Sequence, residues 1–145
     1  MQRDPHLLQE ERATNVVLIA NEIDIVSARQ QGRQMAAEMG FTTTDQALIA
    51  TAISELARNI IRYAGNGEVR LRRLAPRGRD AIEVVASDRG PGIANLDEAM
   101  LDGFTTSDGL GLGLPGSKRL MDEFQVATGL DGTTITALKF IGRVA

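Results

Sequence analysis

The stretch from Asp45 to Tyr63, "DQALIATAISELARNIIRY", constrains the fold more than any other part of the chain. Leu48, Ala52, Leu56 and Ile60 recur at helical spacing, and Ile49, Ile53 and Ala57 widen the apolar stripe. "TTTD" offers a cap before this helix and "AGNG" ends it. A face that broad needs a second layer to cover it. Upstream, Asn15 to Ala20 reads as a strand. Asp24 can cap a helix that runs to about Met39, with Ile25, Ala28, Met35, Ala36 and Met39 apolar and Gly40 as its stop. Downstream, Glu68 to Leu74 and Ala81 to Ala86 are β-like runs joined by the turn "APRGRD". "SDRGPGI" is a loop, Asn95 to Leu101 a short helix, and "DGFTTSDGLGLG" a glycine-rich loop. Pro115 suits the first turn of a helix that runs to about Phe124. Two strands, Gln125 to Gly129 and Thr134 to Ile141, close the chain around "LDGT". The order β-α-α-β-β-α-α-β-β predicts an α+β fold, with helices on one face of a mixed sheet.

Composition removes several classes of function. The 145 residues suit one domain, expected at 14–145 behind a polar tail at 1–13. The absence of cysteine excludes disulfides and thiolate metal sites. The longest wholly apolar run, Val16 to Ala20, is too short to span a bilayer, and "MQRDPHLLQEERATN" has no apolar signal core. We therefore expect a cytoplasmic protein with no membrane partner. A net charge of −3 and 3% aromatics provide neither the basic surplus nor the stacking rings of a nucleic-acid binder. One basic run, "RLRRLAPRGR" from Arg70 to Arg79, fits either a solvated hairpin or a surface for an acidic partner.

Four segments can carry chemistry. In "ISELARNIIRYA", Glu55 and Asn59 stand four apart on one helix face. Such a pair is often only a wet face, but Ile53, Leu56 and Ile60 flank it, so it can border the core. A carboxylate there can accept a proton, and a carboxamide oxygen suits Mg²⁺. In "VVASDRGPGI", Asp88 ends an apolar strand and Gly90 and Gly92 follow. The carboxylate can cap a tight turn or accept from an exocyclic amine such as adenine's, and the glycines allow close approach to a flat ligand. "DGLGLGLPGSKR" satisfies the dinucleotide pattern G-x-G-x-x-G and nearly satisfies a P-loop. The first must follow the opening strand of a βαβ unit, and here it follows a polar loop. The second fails because Ser117 precedes Lys118, reversing the order that phosphate and metal contacts require. What survives is a set of glycine amides leading into a helix N-terminus, an anion site that can also close as a lid. Last, Thr133 in "DGTTITALKF" can reach a ligand through water or simply favour a strand.

In this order the four segments resemble the GHKL ATP-binding (Bergerat) fold. "ELARN" resembles its N box, "DRGPGI" and "GLGLGL" its two glycine boxes, and "GT" its threonine motif. The resemblance spans about Asn15 to Ile141. It implies a two-layer α/β sandwich with a mostly antiparallel sheet. "DIVSARQQGR", "AISELARNI", "GFTTS" and "GLPGSKRLMDEF" resemble, more narrowly, the RsbT-type serine/threonine kinases of bacterial stressosomes. That family implies transfer of the ATP γ-phosphate, with Mg²⁺, to a serine of a STAS-domain protein. Binding of a PPM-type phosphatase then follows. It also implies roles: Glu55 as base, Asn59 on the metal, and Asp88 on adenine beside Gly90 and Gly92. Gly109, Gly111 and Gly113 would form the lid, lined by Thr105 and Thr106. The helix opening at Gly116 would face phosphates, and Thr133 would support adenine. Lys118 and Arg119 fit phosphate or partner contacts or a solvated helix face. The sole histidine, His6, lies in the tail, so this chain has no phosphoacceptor histidine helix of its own. An anti-sigma kinase that binds its sigma factor directly, and a nucleotide-dependent binding module without catalysis, remain the alternatives.

Overall fold

A computed structural model describes residues 14–93, 100 and 113–142. Strand β1 (Thr14–Ile19) leads into helix α1 (Glu22–Met39) and helix α2 (Thr43–Ala64). Strands β2 (Gly67–Leu74) and β3 (Ala81–Asp88) form a hairpin around a short 3-10 turn at Pro76–Gly78. Helix α3 (Gly113–Leu120) precedes a second hairpin, β4 (Glu123–Gly129) and β5 (Gly132–Phe140). The expected short helix at 95–101 lies outside the described residues, apart from Met100.

The five strands make one sheet in the order β1-β2-β3-β5-β4. Every pairing is antiparallel, so the parallel component expected of a mixed sheet is absent among the described strands. The tight turns of the two hairpins dictate this for their own pairs, and β5 then runs antiparallel to β3 as well. Alternate residues of the strands point to the helices. Val17, Ile19, Val69, Leu71, Ile82, Val84, Ala86, Ile135 and Ala137 are buried there. They meet Ile25, Ala28, Ile49, Ile53, Leu56 and Ile60 from α1 and α2 in one apolar cluster. The opposite face carries polar pairs such as Arg72 with Glu83, which sit directly across from each other in the β2–β3 register.

Three local expectations change. The cap of α1 is Asn21, not Asp24. The Asn21 side chain accepts from the Asp24 amide at 3.1 Å, and the Asp24 carboxylate accepts from the Asn21 amide at 3.2 Å. Asp24 is thus the reciprocal partner in a capping box. The buried stripe of α2 is centred on Ile49, Ala52, Ile53 and Leu56, with Leu48 only half-buried. The helix packs on both α1 and the sheet, so its buried arc is wider than a single stripe. The described part of helix α3 runs over Gly113–Leu120, so Gly116 lies inside the helix and is buried rather than opening it. It stops before Phe124 because the chain is drawn into the sheet. The Asp122 amide donates to the Leu138 carbonyl at 2.8 Å, and its carboxylate accepts from the Phe140 amide at 2.8 Å.

Candidate functional site

Helix α2 carries the first two site residues on its covered side. Glu55 is 4% exposed and Asn59 6%. Polar side chains in such positions are ordinarily paired. Glu55 is paired: the Arg58 guanidinium donates from Nη1 to Glu55 Oε1 at 2.9 Å. Asn59 is not: its Nδ2 is buried without a hydrogen-bond partner among the described residues. An orphaned buried amide costs roughly 1–3 kcal/mol. A fold carries that cost where a ligand supplies the missing partner.

The second group gathers where β3 ends. Asp88 lies opposite Thr133 in the β3–β5 register. Asp88 Oδ1 accepts from the Gly90 amide at 2.9 Å and the Thr133 amide at 3.3 Å. These two bonds fix the carboxylate, and its Oδ2 has no partner among the described residues. Thr133 is 4% exposed, and its hydroxyl meets that of Thr128 at 2.8 Å. Thr128 Oγ1 also accepts from the Ile93 amide at 2.9 Å, which ties β4 to the loop after Asp88. Two glycines make this loop possible. A Cβ on Gly90 would stand 2.6 Å from the Ala64 Cβ, so the loop lies directly against the end of α2. Gly92 has φ +84°, and a Cβ there would meet the Gly129 carbonyl oxygen at 2.2 Å.

The structure therefore brings the Asp88 loop onto α2 through the Gly90–Ala64 contact, and α3 packs against α2 as well. Ser117 and Leu114 are buried in that packing, whereas the Lys118 side chain is exposed. Gly113 is the first described residue of α3. Thr105, Thr106, Gly109 and Gly111 lie outside the described residues. The basic run is largely neutralised within the chain. Arg70 pairs with Glu68, Arg72 with Glu83, Arg73 with Glu38 and Arg77 with Glu123, and Arg79 stacks on Phe140. This favours the solvated hairpin over a surface for an acidic partner.

Sequence reasoning missed two residues. Arg58 had a readable signal, since Glu55 and Arg58 are three apart on one helix. Thr128 had none, because only the β4–β5 register brings it beside Thr133.

The donor set fits a magnesium–nucleotide complex. Among the described residues no three His, Cys, Asp or Glu side chains converge to cage an ion. Asn59 offers one oxygen donor, and Mg²⁺ is commonly held by one or two protein oxygens together with substrate phosphates and water. The orphaned Asn59 Nδ2 is a hydrogen-bond donor, so the partner it lacks is an acceptor such as a phosphate oxygen, while Oδ1 is the atom that could face the ion.

Comparison with known proteins bears on the family. A histidine kinase-like ATPase domain matches residues 18–139. The serine/threonine-protein kinase RsbT of Bacillus subtilis (strain 168) is 54% identical over 126 residues, which are 86% of this chain and 95% of that protein. Among solved structures, the RsbU and RsbW domains of a Mycobacterium tuberculosis protein share the fold at a TM-score of 0.64 and 24% identity. That match covers 91% of this chain and 33% of the crystallised one. The mycobacterial sensor histidine kinase MprB matches at a TM-score of 0.51 and 17% identity, covering 90% of this chain and 99% of that one. No helix among the described residues is long and apolar enough to cross a membrane. The chain thus belongs to the histidine kinase-like ATPase domain family and, within it, to the RsbT-type serine/threonine-protein kinases, which use ATP to phosphorylate protein.

Proposed function

We propose that this chain is the switch kinase of a cytoplasmic partner-switching pathway. It transfers the ATP γ-phosphate to a serine of a STAS-domain protein and afterwards binds a PPM-type phosphatase. The observation that carries this reading is the orphaned amide of Asn59 one helical turn from the buried carboxylate of Glu55. A pure nucleotide binder has use for a metal ligand but none for a buried base.

In this reading the adenine amine donates to Asp88 Oδ2, while Oδ1 stays engaged by the Gly90 and Thr133 amides. Thr133 supports the ring through its hydroxyl, which Thr128 orients. Asn59 would hold Mg²⁺, which would supply positive charge to offset that of the phosphates. Glu55 Oε2 takes the proton of the seryl hydroxyl as the serine Oγ forms its bond to the γ-phosphorus. The bond from that phosphorus to the β-phosphate oxygen breaks, and ADP leaves. Phosphoryl transfer asks chiefly for positioning and neutralised charge, and these residues provide both.

Asp88→Asn separates recognition from folding. Asparagine keeps the oxygen that accepts from Gly90 and Thr133 but turns an amide toward the adenine amine, donor against donor. ATP affinity is expected to fall at least tenfold, equivalent to about 1.4 kcal/mol, with the melting temperature little changed. Calorimetric titration with ATP checks this. The function itself is tested with labelled ATP, Mg²⁺ and a purified STAS-domain protein from the same organism. Label in that protein supports the reading. ATP binding without label would favour the non-catalytic module.

A further inference from the structure

Glu55 and Arg58 form an ion pair on α2. Its two members are unequal: the Glu55 side chain is 5% exposed and that of Arg58 25%. The guanidinium reaches in from the rim and engages only Oε1, at 2.9 Å. Oε2 has no partner among the described residues. A glutamate has three rotatable torsions, so an unheld carboxylate would sample orientations in which neither oxygen faces an incoming hydroxyl. A misplacement of about 1 Å in a reacting group can slow a reaction about 100-fold.

We propose that Arg58 is the positioning residue for Glu55. By holding Oε1 it narrows the orientations open to the carboxylate and leaves Oε2 to receive the seryl proton. This rests on Glu55 being the base, as argued above. Arginine suits the task. Its charge persists at every working pH and its planar fork is directional, whereas lysine offers a point charge on a flexible stem. A counter-ion that merely made burial of Glu55 tolerable would not need that directionality.

The test is steady-state transfer of label from MgATP to the STAS-domain protein by four variants: Arg58→Met, Arg58→Lys, Glu55→Gln, and Glu55→Gln with Arg58→Met. Arg58→Met is expected to lower kcat about 10- to 100-fold with KM for ATP unchanged, and Arg58→Lys to recover only part of the loss. The double variant should be no slower than Glu55→Gln, because Arg58 acts only through Glu55. Wild-type kcat in Arg58→Lys and Arg58→Met would leave Arg58 a counter-ion and overturn the proposal. So would a raised KM for ATP or an additive loss in the double variant, either of which marks a direct phosphate contact. If Arg58→Met does not fold, Arg58→Lys decides alone, since it keeps the charge and loses the directional clamp. Wild-type turnover in Glu55→Gln would instead remove the base itself, a different failure.

Discussion

Asn59→Ala is expected to abolish phosphoryl transfer while leaving the fold intact or more stable. The two effects have opposite signs because the side chain serves the ligand and not the apoprotein. Its buried Nδ2 has no partner among the described residues, so removing it relieves a desolvation cost rather than breaking a bond. A metal ion contributes several kcal/mol of charge stabilisation to the reaction, and losing about 4 kcal/mol is about a 1000-fold drop in rate. Melting temperature without nucleotide and transfer rate with MgATP, measured on the same preparation, check both halves. A large loss of stability would mean that Asn59 is a structural residue.

Glu55→Gln is expected to keep ATP binding and lose turnover by about 100- to 10,000-fold, the range a general base provides. Glutamine fills the same buried space and can still accept from Arg58, so the packing of α2 survives. It cannot take a proton from serine. Nucleotide affinity and single-turnover transfer, measured side by side, separate binding from chemistry. Persistence of turnover would move the base elsewhere.

Much of this site is legible in the sequence, for identifiable reasons. Glu55 and Asn59 share a helix face by spacing alone, and the flanking Ile53, Leu56 and Ile60 put that face against the core. Asp88 ends an apolar run, so its place at a strand end follows from the alternation. Features set by tertiary contact are less legible. Thr128 joins the site only through the pairing of β4 with β5. Leu48 is only half-buried because the covered arc of α2 is centred on the side of Ile49, Ala52, Ile53 and Leu56, a choice that the packing partners make and the spacing does not. Gly116 lies inside α3 rather than opening it because Pro115 is tolerated within a first turn and so does not fix which residue opens the helix. Asn21 and Asp24 were ambiguous for a similar reason: both are good capping residues, and only the reciprocal bonds show which one caps.

A chain that moves phosphate from ATP to a serine on another protein leaves that serine modified. The most direct measurement is mass-spectrometric mapping of the STAS-domain protein after incubation with MgATP and either the wild-type chain or Glu55→Gln. A single phosphoserine is expected with the wild type and almost none with the variant. An unmodified STAS protein, with ATP demonstrably bound to the wild-type chain, would contradict that transfer.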